Sequence, residues 1–468
     1  MRGFIMTILP ELYMLFFSIV FLILSVGKRK ADMFTWAKVL SLVGLVITLV
    51  SINGRGNLFY GAYRVDLFSQ VFKAIFIYGF VFVIFMLGKK NEIEEGYLAE
   101  YFMFLGFSTL GLMMLVSSVE LISIAISLEI SSYSLYVIVP LRKGQAKVQL
   151  EAAMKYLFFG AISSGIMIYG MSYLYGMTQS TFLSKIIFVL PKFLDQPIGI
   201  LAIILTLAGF FFKLSLFPFH FWAPDIYEGA SNTTTTFIAT VPKVAAAALL
   251  IRIVTMASSA DPAFVSILIV LAALSMTFGN IVGLVQKDIK RLLAYSGIAH
   301  AGYLIMGILA MSRDGNAAAI YYMVVYLFMN LGVFYVVLLL SKSGENISLN
   351  DLSGLARRAP LLAFTLAVSA FSLAGIPPTG GFTGKLFLFT SAFKAGHLTI
   401  VIIGAVNTVI SIFYYLNLVR MSYSKEAVTT EPISLSMHEK ALCYVLIFLV
   451  LYLGIMPFGL MQLFRMAV

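Results

Sequence analysis

Residues Gly209 to Glu228 read GFFFKLSLFPFHFWAPDIYE, an apolar run that carries Lys213 and is then interrupted by Pro218. Proline lacks a backbone N–H and clashes with the carbonyl one turn back, so the helix carrying this run breaks. A charge inside an otherwise membrane-grade segment is expensive, at least about 2.5 to 3.5 kcal/mol for an unpaired one at the bilayer centre. Intramembrane ionisable residues therefore mark ion pathways or proton relays, and the rest of the chain should hold partners for Lys213.

The composition supports a membrane setting. Of 468 residues, 61% are hydrophobic and only 11% are charged, and the mean hydropathy is +0.98. A soluble domain carries about 25% charged residues. The single cysteine, Cys443, excludes internal disulfides, cysteine-ligated iron–sulfur or haem motifs and cysteine zinc sites. The net charge of +11 is scattered over short loops between apolar runs, so it reports membrane topology and not nucleic-acid binding. MRGFIMTILPELYML at the N-terminus has no small-residue cleavage site and reads as a first span.

Fourteen spans can be drawn, at about residues 7–26, 34–52, 66–88, 97–117, 119–139, 149–176, 197–217, 232–255, 262–284, 291–311, 316–341, 360–390, 397–420 and 439–464. The expected fold is an all-α polytopic membrane protein forming one membrane domain over residues 1–468. Loops after odd-numbered spans hold sixteen Lys or Arg, including Lys28, Arg29, Lys30, Lys89, Lys90, Lys342 and Lys425, against nine on the opposite side. That bias makes the first set cytoplasmic and puts both termini on the periplasmic side.

Lys243 and Lys385 also lie well inside spans, and Glu129 and His300 share the membrane interior with them. At 1.5 Å per residue, Glu129, Lys243 and His300 each lie about 14 to 17 Å deep in a core of about 30 Å. The twelfth span, SLAGIPPTGGFTGKLFLF, repeats the design of the seventh, with a Gly/Pro interruption and then Lys385. Two broken spans five spans apart point to inverted repeats, 97–255 and 262–420, with the site at the broken helices 7 and 12. A row of Glu129, Lys213, Lys243, His300 and Lys385 suits proton transfer. Desolvation disfavours the charged form of a buried group, and histidine titrates near neutrality, so each member can change charge at modest cost.

Simpler readings stand beside this one. Lys73, Lys155 and Lys440 lie near span ends, where lysines snorkel to the interface, although Lys155 is equally a candidate relay residue. His300 can simply bond a neighbouring carbonyl. His220 is either a relay branch or an interfacial residue. Glu11 and Glu120 read as capping or solvated, and the ASNTTTT run, Ala230 to Thr236, as a hydroxyl cap for the eighth span. No phosphate loop or dinucleotide fingerprint occurs.

FKLSLFPFHFWAPDIYEGA, VPKVAA, KDIKRLLAYSGIAHAGYLIMG and LAGIPPTGGFTGKLFLF, in that order, together with LPELYML and EAAMKYLFFGAISSG, resemble the proton-pumping membrane subunits of respiratory complex I and the related Mrp-type cation/proton antiporters. PDIYEG after FHFW, the fourteen-span length and the lack of a long amphipathic arm resemble the subunit N branch. The resemblance implies a proton-translocating subunit in a bacterial inner membrane. It implies a Glu129–Lys213 charge pair, Lys243 as central relay, His300 as connector, Lys385 near the exit, Tyr414 and Tyr415 lining that exit, and Lys155 on a lysine of the family. It also implies no cofactor on this chain. NADH, flavin, iron–sulfur clusters and quinone belong to partner subunits, quinone touching the chain only indirectly. Antiporter-like neighbours, small membrane subunits and lipid are the expected partners. A stand-alone or Mrp-type antiporter and a pure scaffold are the alternatives. In one place the chain departs from the family, with GASNTTTT where a proline-containing GAPTP-like segment is usual.

Overall fold

The structure, a computed structural model, describes residues 2–27, 32–88, 92–144, 146–256, 262–341, 344–424 and 432–468. The basic residues Lys28, Arg29, Lys30, Lys89, Lys90, Lys342 and Lys425 lie outside them. In chain order the elements are α1 (Arg2–Val26), α2 (Met33–Val50), β1 (Gly56–Leu58), β2 (Tyr63–Val65), α3 (Leu67–Met86), α4 (Leu98–Ser117), α5 (Leu121–Ile138), α6 (Ala146–Thr178), α7 (Leu183–Val189), α8 (Pro197–Leu214) and α9 (Trp222–Gly229). There follow α10 (Asn232–Met256), α11 (Pro262–Gly283), α12 (Ile289–Leu309), α13 (Arg313–Leu340), α14 (Leu355–Arg358), α15 (Pro360–Ala374), α16 (Gly380–Lys394), α17 (Leu398–Tyr423), α18 (Met437–Ile455) and α19 (Phe458–Ala467).

Among the described residues, thirteen helices are long and apolar enough to cross a membrane. The expected twelfth span, 360–390, is the one that does not form a single long helix: it is split into α15 and α16, with a cis Pro377–Pro378 peptide between them. Two expected boundaries move. The seventh span stops at Leu214 and not at 217, because Ser215 takes a left-handed φ of 59° before Pro218 is reached. The last span stops at Ile455, and Phe458–Ala467 forms a separate short helix.

By packing, the chain forms two compact units. The first comprises Met1–Leu214, Gly229–Ile267 and Met466–Val468; the second comprises Ser215–Glu228 and Leu268–Arg465. Helix contacts inside the first unit depend on small residues, since in lipid close van der Waals approach replaces the hydrophobic drive between helices. At Gly170 of α6 an added Cβ would lie 2.3 Å from the backbone nitrogen of Thr206 on α8. Helix ends in this unit close on acidic caps. Asp66 and Ser69 form a reciprocal box at the start of α3, and Glu120 accepts the Ser123 N–H at 2.7 Å. Glu120 is thus a cap, as its position near a span end suggested.

Glu11 and Lys73 are not where the sequence put them. Lys73 is fully buried, and its Nζ lies 2.5 Å from Glu11 Oε1, which also accepts the Tyr63 hydroxyl. Helix α1 begins at Arg2, so Glu11 is about 13 Å into it and not at its end. Asp66, at the outer end of α3, takes a bidentate contact from Arg252 of α10 at 2.8 and 2.9 Å. Burial pushes its carboxyl up, but Arg252 overrides that and holds it below the usual carboxylate range.

In the second unit α12 and α13 are buried along nearly their whole length. The Ser215–Glu228 segment is fixed to this unit by Arg291, whose Nη1 lies 2.8 Å from Asp225 and 2.7 Å from Glu228, and by the Phe217 N–H donating to Ser275 Oγ at 2.9 Å. The turn between α15 and α16 closes tightly. An added Cβ at Gly381 would lie 1.7 Å from the Ser372 carbonyl oxygen.

Two predictions follow from this packing. Gly381→Ala should cost at least about 1 to 3 kcal/mol, because backbone must move, and lower the melting temperature of the detergent-solubilised protein. Gly165→Ala, with nothing within 4 Å of the new carbon, should not. Glu11→Gln strands the Lys73 ammonium and should cost about 3 to 5 kcal/mol, most of it recovered in Glu11→Gln/Lys73→Met. A thermal melt in which the double variant is no more stable than the single one would remove the ion pair from this account.

Candidate functional site

In the first unit, Lys213 occupies the last turn of α8 and is buried. Its ammonium stands over the Tyr156 ring at 5.6 Å, and among the described residues its Nζ has no hydrogen-bond partner. A cation over an aromatic face is held by the ring quadrupole, more strongly where water is excluded. Glu129 on α5 accepts the Ser164 hydroxyl, and among the described residues no hydrogen bond joins it to Lys213.

Lys243 lies in the middle of α10 and is 2% exposed, flanked by buried Val241, Val244 and Ala245–Ala248. Lys155 is half-buried on α6 and pairs with Glu151 one turn earlier at 2.7 Å. That contact is local, between two side chains of one helix.

The second unit holds the other expected residues. Lys385, near the start of α16, donates to the carbonyl oxygens of Leu373 and Ala374 at 3.1 Å each. Those carbonyls end α15, where Gly375 at φ 86° turns the chain away. The last carbonyls of a helix lack intrahelical donors and form the negative end of its dipole, so a lysine there completes the broken helix while the helix end stabilises the charge. The same ammonium lies 4.7 Å from the centre of the Tyr303 ring.

His300 is buried on α12, and each ring nitrogen faces a tyrosine hydroxyl. Nδ1 lies 2.5 Å from Tyr322 and Nε2 lies 3.0 Å from Tyr415, which in turn meets Ser296. A neutral imidazole held in this way has one nitrogen as donor and the other as acceptor, an arrangement chemically able to take a proton on one side and release one on the other. Tyr303 lies between His300, at a ring separation of 6.0 Å, and Lys385.

Tyr414 donates to Asn280 Oδ1 at 2.9 Å and lines a cavity of about 560 Å³ with Gln286, Asn417 and Arg420. That cavity lies among loops of the basic set, whereas Tyr415 lies inward on His300. His220 sits in the break before α9, stacked on Phe217 and packed against Phe221 and Phe278. It is buried in an aromatic cage.

Several polar residues escaped the sequence reading. Tyr303, Tyr322 and Tyr326 surround His300; the 322/326 spacing marks one helix face, but tyrosine is ordinary in membrane helices. Glu92, buried between α3 and α4, accepts Asn232 Nδ2 at 2.6 Å and both the N–H and the hydroxyl of Thr233 at 3.1 Å. With Ser231 Oγ accepting the Thr234 N–H at 3.1 Å, the ASNTTTT run does cap α10, aided by a carboxylate 140 residues away in sequence. Among the described residues no three His, Cys, Asp or Glu side chains gather as a metal cluster would require.

Residues 117–411 match the family described as NADH:quinone oxidoreductase/Mrp antiporter, TM. NADH-quinone oxidoreductase subunit N 2 of Opitutus terrae is 43% identical over 454 residues, covering 96% of this chain and 95% of that one. The subunit N 2 of Solidesulfovibrio magneticus is 43% identical over 90% of both chains. Among solved structures, a chain of respiratory complex I from Thermus thermophilus superposes with a TM-score of 0.84 at 30% identity, covering 97% of this chain and 98% of that chain. A chain of the Mrp complex from Dietzia gives 0.86 at 18% identity, covering 98% of this chain and 97% of that one, a likeness of fold. With matches spanning nearly its full length, the chain belongs to the NADH:quinone oxidoreductase/Mrp antiporter family of membrane subunits, among relatives named subunit N.

Proposed function

We propose that the chain is the proton-translocating subunit N of an NADH:quinone oxidoreductase in a bacterial inner membrane, moving protons through Glu129, Lys213, Lys243, His300 and Lys385. The observation that carries this reading is the burial of three lysines, at 2 to 4% exposure, inside membrane-grade helices or beside their breaks. A scaffold would gain nothing from burying those charges. The Mrp alternative rests on a likeness of fold at 18% identity, whereas the relatives at 43% carry the quinone oxidoreductase name.

In this reading residues 1–468 form one membrane domain, and 97–255 and 262–420 are five-helix repeats of opposite orientation, their broken spans ending at Lys213 and beginning before Lys385. The basic loops face the cytoplasm and both termini the periplasm. NADH oxidation, flavin, iron–sulfur and quinone chemistry take place on partner subunits, and the chain sits against antiporter-like and small membrane subunits and lipid. Each relay lysine takes a proton as the neutral amine and gives it up as the ammonium. The field of Glu129 supports the charged state of Lys213, and the carbonyl end of α15 supports that of Lys385. His300, between the Tyr322 and Tyr415 hydroxyls, transfers protons within the second unit. Lys155, His220, Tyr414 and Tyr415 are secondary members.

In the intact enzyme within inverted membrane vesicles, Lys243→Ala and Lys385→Ala should each cut NADH-driven proton uptake by about a hundredfold or to background, the scale of a lost general acid–base group. Tyr322→Phe, which removes one hydroxyl from His300, should give a partial loss. Fully assembled Lys243→Ala enzyme with the wild-type ratio of protons to electrons would sink the assignment.

A further inference from the structure

Helix α10 carries more than Lys243. Asn232, Thr236, Thr240 and Lys243 are spaced i, i+4, i+8 and i+11, which puts them on one stripe of the helix. All four are at most 2% exposed. The Thr236 hydroxyl donates to the Asn232 carbonyl at 2.7 Å, and the Thr240 hydroxyl to the Thr236 carbonyl at 2.6 Å. Each hydroxyl therefore spends its hydrogen on its own helix and keeps its lone pairs for an incoming donor.

Back-bonding of this kind is how threonines are tolerated in membrane helices and implies nothing alone. Two further observations give the stripe a direction. Its inner end is a buried lysine. Its outer end is the buried Glu92 carboxylate, with Asn232 Oδ1 beside it, a buried acceptor that has no hydrogen-bond partner among the described residues. Glu92 is followed by an antiparallel bridge between Ile93 and Arg142, the Lys143 N–H donating to the Glu92 carbonyl at 2.7 Å, and that bridge borders a cavity of about 340 Å³ lined by Glu94, Tyr97, Arg142 and Gln149. Carboxylate, hydroxyls, lysine and cavity all belong to the first unit.

We infer that Glu92 and the Asn232–Thr236–Thr240 stripe form a proton intake that loads Lys243 directly from the side of the basic loops, in parallel with Lys213. Successive hydroxyls rise by about 6 Å along the helix, a gap that one hydrogen-bonded water bridges. A hydronium in the cavity gives its proton, through an intervening water, to Glu92 and is left as water. Glu92 passes it inward and returns to the carboxylate. Each hydroxyl turns from its own backbone carbonyl to the next water inward, accepts a proton on a lone pair and releases its own in that direction, and the neutral Lys243 amine ends as the ammonium. One proton enters, one positive charge appears on Lys243, and no bond other than O–H and N–H is made or broken.

The inference rests on Lys243 being a relay station, and the test separates the two. Thr236→Val/Thr240→Val keeps the shape of both side chains and removes both hydroxyls. In the intact enzyme in inverted vesicles it should slow NADH-driven proton uptake about tenfold and raise the solvent deuterium isotope effect, and the Ser/Ser variant should return both to within about twofold of wild type. Lys213→Ala should leave residual uptake, which adding the double valine removes. Wild-type uptake and isotope effect in the assembled double valine, in a background where Lys243→Ala abolishes uptake, overturns the intake and leaves the relay standing. Loss of uptake that the serines do not restore assigns the stripe to helix packing and also overturns it. If Lys243→Ala itself pumps normally, the relay reading fails and the intake fails with it.

Discussion

A membrane leaves no water to complete a charge or a broken backbone, so each must find its partner within the chain. The contact between the Lys385 ammonium and the carbonyls of Leu373 and Ala374 answers both demands at once. Breaking the span at Gly375 strips the end of α15 of its next donors, and the lysine that follows the break replaces them. The charge is held by partial charges of fixed backbone and not by a carboxylate. An ammonium held in this way keeps its place without being locked into its charged state by a full opposite charge.

That distinction runs through the whole chain. Lys73 lies 2.5 Å from Glu11, Arg252 meets both oxygens of Asp66, and Arg291 bridges Asp225 and Glu228. Each of these joins elements distant in sequence, and removing one partner would strand the other, so they act as fixed struts. Lys213 and Lys385 are arranged otherwise. Lys213 meets the face of the Tyr156 ring, and Lys385 meets carbonyls and the Tyr303 ring. A group meant to gain and lose a proton is better served by such partners, because losing the proton does not leave an opposite full charge bare in contact.

The buried lysines and the breaks were legible in the sequence because the background is so apolar that a single lysine or a Pro–Pro pair stands out. The role of Glu120 as a cap and of the ASNTTTT run as a hydroxyl cap followed from local spacing, which is how capping works. What escaped was non-local or chemically unremarkable. Glu11 reads as a residue near a span end because Pro10 interrupts the first apolar run, and its partner is 62 residues away. Glu92 sits in a connecting segment beside Lys89 and Lys90 and looks solvated, yet it closes the start of a helix 140 residues later. The tyrosines around His300 carry no charge, so hydropathy gives them no signal. That Ser215–Glu228 packs with the second unit while the helix feeding it packs with the first is a matter of tertiary pairing, beyond any window of sequence.

The segment GASNTTTT shows how the same background changes the meaning of polar residues. In a soluble helix, threonines four apart are unremarkable. Here Asn232, Thr236 and Thr240 lie in the interior of an otherwise apolar bundle, where each hydroxyl must be satisfied by its own backbone, and back-bonding slightly weakens the helix that bears it. The Glu92 carboxylate at the head of α10 offsets that weakness by closing the first turn through Asn232 and Thr233. A sequence that merely needed a helix there would use leucine or alanine, as α10 itself does from Ala245 to Leu250 on the far side of Lys243. The threonine-bearing turns of α10 therefore end just before Lys243, and the alanine–leucine run begins just after it, so the helix changes character around that lysine.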